Sequence, residues 1–223
     1  MGAGLPVEIP RMRFAFRVHR LAVAVLAAAL ALAAAGAQAR TVMVFGDSLS
    51  AAYNLPVDKG WVHLVEQKIR DAKLGWNVVN ASVSGETTAG GLRRLPEDLK
   101  RHHPDIVVIE LGANDALRGQ PVAGIRSNLV EMIKLARKAR AEPVIVGLMI
   151  PPNYGIDYAA EFQRLYPALA RAEKAPLVPF LLEGIADKPE MFQADQLHPT
   201  AEGEVRVAEN VWATLKPVLA ARR

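Results

Sequence analysis

Thr41-Val-Met-Val-Phe45-Gly-Asp-Ser48-Leu-Ser50 is the stretch on which the fold turns. A β-branched threonine and four apolar residues run together and stop at a glycine. A short continuous apolar run closed by turn residues is the pattern of a strand buried on both faces. Four later runs repeat it, at 77–80, 105–111, 143–149 and 177–180, each rich in Val, Ile or Leu and bounded by turn formers. Helical patterns lie between them. Val122, Ile125, Leu129, Ile133 and Ala136 recur at three- and four-residue steps, as do Val205, Ala208, Val211, Trp212, Leu215 and Leu219. Residues 60–70, 91–100 and 161–174 are further helical segments, the last with Pro167 expected to kink or break it. Strands alternating with helices predict an α/β protein: a three-layer α/β/α sandwich around a five-stranded parallel sheet, flavodoxin-like in outline. Such sheets bind ligands beyond the carboxyl ends of their strands, so the residues just after each strand are where chemistry is sought.

Outside this alternation stands the amino terminus. Arg11, Arg13, Arg17 and Arg20 precede an unbroken apolar run from Leu21 to Ala35, and Ala37-Gln38-Ala39 follows with small residues at the ends of the triplet. A basic segment, an apolar segment and a small-residue site make a secretory signal peptide over residues 1–39. The run is shorter than the roughly 20 residues a membrane-spanning helix needs. Met12 is an alternative start within it. The mature domain is expected over 40–223, in the periplasm or secreted, with no stable membrane anchor after cleavage. The formal net charge is +4, but the four leader arginines face a single leader acid, Glu8, so the remainder is near neutral and nucleic acid is not an expected partner. The chain has no cysteine, which excludes disulfides, thiolate chemistry and Cys-ligated zinc.

The strand ends carry the polar residues. After the first strand, Gly46 permits a tight turn and Ser48 stands where strand is expected to give way to helix, with N–H groups able to face an oxyanion. Taken alone, Asp47 or Ser48 reads as a helix cap. After the second strand comes Ser82-Val-Ser-Gly85-Glu86-Thr87, where glycine lets the backbone approach a ligand. After the third comes Gly112-Ala-Asn114-Asp115, with a side-chain amide at the same sheet edge. Near the carboxyl terminus Asp195-Gln-Leu-His198-Pro199 spaces an acid and a base so that one can hold the other within a turn. The remaining histidines do not assemble a metal site: His19 is in the leader, His63 lies on a helical pattern, and His102-His103 end a helix at the wrong edge of the sheet. Each signal is modest; a nucleophile, amide donors and a base on four strand ends together make a site.

These blocks resemble the SGNH, or GDSL, hydrolases. The resemblance spans Thr41 to about Pro217 and is carried by Gly46-Asp47-Ser48-Leu49, Gly85, Gly112-Ala113-Asn114-Asp115 and Asp195-x-x-His198. Longer stretches, Phe45 to Tyr53, Val79 to Thr87, Leu111 to Gly119 and Pro152 to Gly155, are similar to the bacterial acyl-CoA thioesterase I, lysophospholipase L1 and arylesterase group. The resemblance implies a serine esterase in which Ser48 attacks the acyl carbonyl, His198 moves the proton and Asp195 orients His198. It also implies an oxyanion hole from the N–H groups of Ser48 and Gly85 and the amide of Asn114. Asp47, Asp115, Ile150 and Pro151 are expected to border the substrate, the last two suiting a fatty chain. No cofactor and no metal are implied, and the expected partner is a small acyl ester or thioester. Two other readings remain at this point: carbohydrate O-deacetylation by the same triad, which the apolar Ile150-Pro151 wall disfavours, and a non-catalytic binding protein. A nucleotide binder is disfavoured because no Gly-rich phosphate loop follows the first strand.

Overall fold

The structure, a computed structural model, describes residues 40–222 together with Met1, Gly2 and Gly4. The leader expected over 1–39 lies, those three residues apart, outside the described residues. Five parallel strands form one sheet: β1 (Arg40–Gly46), β2 (Trp76–Asn80), β3 (Ile106–Glu110), β4 (Glu142–Val146) and β5 (Leu177–Val178), in the order β2-β1-β3-β4-β5. Among the described residues six α-helices accompany them: α1 (Trp61–Asp71), α2 (Thr88–His102), α3 (Ala113–Leu117), α4 (Val122–Lys138), α5 (Ile156–Glu173) and α6 (Ala201–Ala221). Helices α1 and α6 pack together, and α4 packs on both α2 and α5. This is the three-layer sandwich expected from the alternation. Among the described residues no helix is long and apolar enough to cross a membrane.

The central strands are buried because they are apolar along their whole length. Val42 to Phe45 and Ile106 to Ile109 are all at most 1% exposed. Alternating polar residues would have been stranded in the core. The chain runs outward from β1 to β2, then crosses to β3 on the other side of β1. The topological switch point therefore lies between β1 and β3, and their carboxyl ends deliver Ser48 and Asn114 to it.

Several expectations are corrected in detail. The fourth strand stops at Val146 rather than 149, and Gly147 after it donates to the Val178 carbonyl and accepts the Leu181 N–H. A Cβ on Gly147 would stand 2.1 Å from the Pro179 carbonyl oxygen, so only glycine allows that approach. The fifth strand has two residues, enclosed by Pro176 and Pro179, neither of which can donate to the ladder. Pro167 does not break its helix: α5 is one helix with Pro167 inside it, and it starts five residues before the expected segment. The first strand gives way not to a helix but to turns, and after a single 3₁₀ turn at Val57–Lys59 the next α-helix begins only at Trp61.

Candidate active site

Asp47 shapes the turn that exposes Ser48. Its carbonyl accepts the N–H of Ser50 at 3.2 Å and of Ala51 at 3.0 Å, and its Oδ1 accepts that of Leu49 at 3.0 Å. The chain thus doubles back at once after β1 and leaves Ser48 at the crest, its own N–H without an acceptor among the described residues. The other side of the site is built the same way. Asp195 Oδ1 accepts the N–H groups of Leu197 and His198, each at 3.0 Å, which requires Gln196 to sit at φ +56°. Gln193 pins this loop to the first: its side-chain amide donates to the carbonyls of Tyr53 and Pro199, both at 2.9 Å.

The two loops bring the expected residues into line. His198 Nε2 lies 2.8 Å from Ser48 Oγ, and His198 Nδ1 lies 2.7 Å from Asp195 Oδ2. Tyr53 stacks on the imidazole with ring centroids 4.3 Å apart. Asp195 is exposed. What desolvation it has pushes the carboxyl up, but the N–H groups of His198 and Leu197 and the imidazole outweigh that and hold it down at about 2. It is therefore ionised at any working pH and can stabilise an imidazolium.

Asn114 stands in the first turn of α3 and donates one amide hydrogen to Asp47 Oδ2 at 2.9 Å, leaving its second free to face the site. Gly85 is the third residue of a turn closed by Glu86 N–H on the Val83 carbonyl at 3.1 Å, and its φ of +78° is one that favours glycine. Its N–H, like that of Ser48, has no acceptor among the described residues. Ser48 and Asn114 line a cavity of about 430 Å³ together with His198, Ile150 and Pro151. Gly85 lies outside that lining.

Of the residues expected to border the substrate, Asp115 stands away from the cavity and Asp47 lies in its wall. Asp115 is buried, and both its oxygens accept from Thr88, one from the N–H and one from the hydroxyl, each at 2.7 Å. It ties α3 to the start of α2 and does not line the cavity. Asp47 does touch the cavity wall, but it is 1% exposed and both its oxygens are committed to Leu49 and Asn114. Burial pushes its carboxyl up to about 6, against the pull of those two donors. Beneath it lies Glu110, whose Oε2 accepts from Ser50 Oγ at 2.6 Å and from the Asp47 N–H at 3.2 Å. Burial, and Asp47 beside it, push the Glu110 carboxyl well above its ordinary value, so its surroundings oppose its charge.

The sequence reading missed Glu110 and most of the apolar wall. Phe180 and Leu182 follow β5, and with Leu117, Met149 and Phe192 they line the cavity. The rule that found Ser48 could have found Phe180 and Leu182, since they too stand beyond a strand's carboxyl end. Among the described residues, no cluster of three or more His, Cys, Asp or Glu is placed to hold a metal ion.

A doubly wound sheet with a serine, an imidazole and free amide donors at its switch point defines an α/β hydrolytic enzyme. Residues 44–206 match the GDSL-like lipase/acylhydrolase family, and the chain belongs to it. It is 48% identical over 183 residues to the esterase TesA of Pseudomonas aeruginosa, covering 82% of this chain and 91% of that one. It is 37% identical to the thioesterase 1/protease 1/lysophospholipase L1 of Escherichia coli, covering 82% of this chain and 86% of that one. A crystal structure of TesA superposes with a TM-score of 0.77 at 48% identity, over 80% of this chain and 99% of that one. The chain is accordingly an ester-hydrolysing enzyme with the SGNH fold.

Proposed function

We propose that Ser48 is the nucleophile of an esterase acting on carboxylic esters and thioesters, aryl esters, acyl-CoA and lysophospholipids among them, through an acyl-enzyme. The observation that carries this is the relay from Ser48 Oγ to His198 Nε2 at 2.8 Å and from His198 Nδ1 to Asp195 Oδ2 at 2.7 Å, opening on a largely apolar cavity. Ser48 Oγ attacks the acyl carbon as its proton passes to His198 Nε2. The developing oxyanion is received by the N–H groups of Ser48 and Gly85 and the free amide hydrogen of Asn114. Collapse expels the alcohol or thiol, which takes the proton from Nε2. Water then attacks the acyl carbon as it gives a proton to the same nitrogen, and the second collapse breaks the bond to Ser48 Oγ, which takes that proton back as the acid leaves. Asp195 stays ionised throughout and keeps the imidazole in the tautomer whose Nε2 is free.

A fluorophosphonate probe tests the assignment. Wild type labels and Ser48→Ala does not; a wild type that fails to label overturns Ser48 as the nucleophile. Hydrolysis of p-nitrophenyl esters graded by chain length, beside palmitoyl-CoA and a lysophospholipid, defines the substrate class. Ile150 is buried at the cavity wall, so Ile150→Ala shifts the preferred chain length upward if acyl chains occupy that cavity. Residues 1–39 are proposed to be a cleaved export signal that delivers residues 40–223 to the periplasm or medium. Exported protein then starts near Arg40, and a start at Met1 or Met12 overturns the cleavage.

A further inference from the structure

The three proposed oxyanion donors are held unequally. The Ser48 N–H is fixed by the Asp47 turn, and the Asn114 amide is fixed by the Asp47 carboxylate. Gly85 lies on a turn beyond the edge strand β2, where Val83, Ser84 and Gly85 are all exposed. A Cβ added to Gly85 would meet nothing within 4 Å, so no packing steadies the turn from in front. An oxyanion donor must nonetheless be held to a fraction of an ångström, since a misplacement of about 1 Å costs on the order of 10²-fold in rate. The base of the turn is paired to β1 through Val83 N–H on the Gly46 carbonyl at 3.0 Å and Gly46 N–H on Ser82 Oγ at 3.1 Å. Both bonds lie on the strand side of Ser84; on the far side Arg118 Nη2 reaches the Gly85 carbonyl in a long, exposed bond of 3.3 Å, and the turn needs a firmer anchor.

That anchor is Arg94, on the second turn of α2. Its Nη1 donates to the Ala81 carbonyl at 2.9 Å, and its Nε donates to Glu86 Oε2 at 3.2 Å. One guanidinium thus grips the residues on both sides of the turn, four before Gly85 and one after it. Its flat face lies over the Phe45 ring, 4.2 Å from the centroid, and Phe45 is the last side chain of β1 before the Gly46-Asp47-Ser48 turn. Asp98, one helical turn further on, receives the same Nη1 at 2.5 Å and fixes the side chain's direction. Glu86 is held in turn by the Thr87 N–H on its Oε1 at 3.1 Å. An exposed pair spaced like Arg94 and Asp98 would contribute little by itself. The reach to the loop and the stacking on Phe45 go beyond such a pair.

We propose that Arg94 is a positioning residue that locks the Gly85 turn to the strand carrying Ser48, so that the Gly85 N–H faces the oxyanion. The proposal rests on Gly85 acting as a donor. Lysine cannot replace it in full, because a single ammonium has neither the planar fork nor the stacking face.

The test uses the full chain with Arg94→Met, which keeps the stem's packing, and Arg94→Lys. Three quantities are measured: kcat and KM on a p-nitrophenyl ester, affinity for an alkyl boronic acid that forms a tetrahedral adduct on Ser48, and melting temperature. Arg94→Met is expected to lower kcat about 10- to 100-fold, below the 10²–10³ typical of deleting a donor outright. KM stays within about twofold, boronic acid affinity falls in step with kcat/KM, and lysine recovers part of both. A lower melting temperature with kcat and boronic acid affinity within twofold of wild type overturns the proposal. If Arg94→Met does not fold, Glu86→Gln takes its place, since it weakens one grip and leaves the Ala81 bond. A fall in kcat of several-fold at constant KM is then expected, and unchanged kcat overturns the idea. Retained activity in Ser48→Ala would instead overturn the reading of the whole site, which separates the two failures.

Discussion

Asp47 and Asp195 stand on opposite sides of Ser48 in opposite surroundings. Asp195 lies at the solvent margin, takes two backbone N–H groups and an imidazole, and sits at about 2. Asp47 lies under the site beside Glu110, whose own carboxyl burial pushes up, takes one N–H and one amide, and is pushed up to about 6. Burial raises a carboxyl in both cases, and what differs is how much donor chemistry opposes it. The charge that must survive an imidazolium is kept where water and N–H groups sustain it. The buried carboxyl works through geometry, by aiming Asn114 and folding the turn that carries Ser48. Its ionisation is a cost to the fold rather than a support.

Substituting each by asparagine separates these roles. Asp195→Asn puts an amide where His198 Nδ1 needs an acceptor and favours the wrong tautomer, so kcat is expected to fall about 10⁴-fold. Its stability changes little, because the ionised carboxyl is largely exposed and hydrated. Asp47→Asn turns an NH₂ toward the Asn114 amide, releases that donor, and lowers kcat about 10²- to 10³-fold. Unlike the first variant, it removes a buried charge next to Glu110, so its melting temperature at pH 8 is expected to hold or rise. Paired measurements of kcat and melting temperature decide it. An Asp47→Asn enzyme that loses more stability at pH 8 than Asp195→Asn breaks the comparison.

The two sides were also unequally legible in the sequence. Asp195 and His198 are three residues apart, and a local turn is enough to join them. Ser48 and Asn114 could be placed together because they end strands that a parallel sheet must align. The direction of the Asp47 and Asp115 side chains could not be read. Each stands next to a residue of the candidate site, and whether its carboxylate faces substrate or core depends on Glu110 and Thr88, 63 and 27 residues away. Glu110 closes an apolar strand, and nothing near it in the sequence marks it as buried. Its burial depends on Ser50, 60 residues earlier, turning back to meet it. Phe192 was missed for the same reason: it reaches the cavity only because it bridges Pro199 and folds the His198 loop back, whereas Phe180 and Leu182 stand where the strand-end rule points. Local pattern gave the strands and the reacting groups, while the supporting contacts are non-local.

The buried side is also the tighter one. A Cβ on Gly46 would stand 2.5 Å from Glu110 Oε2 and 2.7 Å from Ser50 Oγ, and neither side chain has open space to move into. Gly46→Ala is therefore expected to cost about 1–3 kcal/mol by overpacking, read from denaturant midpoints. On the exposed side, Gln196→Gly relieves a left-handed φ of +56° and is expected to leave stability within about 1 kcal/mol. Equal losses in the two variants would mean that the Glu110 layer yields more readily than its burial implies.

The smallest effect extends the comparison to a third carboxyl. Glu204, in the first turn of α6, accepts the Trp61 N–H at 2.7 Å, and the Trp61 indole donates to the Leu49 carbonyl at 2.9 Å, one residue from Ser48. Burial pushes Glu204 up from the ordinary 4.5 to about 7, with the Trp61 N–H pulling the other way. Between those two values the folded chain keeps a proton that the unfolded chain has lost. Stability contributed by this proton is therefore lost as pH rises from about 4.5 through about 7, and no more is lost above that. Asp47 and Glu110 have the same sign. Asp195 has the opposite one, with stability lost only as pH falls toward about 2. Glu204→Gln keeps an oxygen for the Trp61 N–H and removes the titration. The shift sets a ceiling of about 3 kcal/mol on the effect, and hydration and relaxation at the helix end reduce the expected value to about 1. Unfolding free energies at pH 5 and pH 8 measure it. The wild type should lose more stability across that interval than the variant, whose remaining loss belongs to Asp47 and Glu110. Parallel curves would mean that Glu204 is ionised in the folded chain at pH 5, and that burial alone does not separate the two sides of the site.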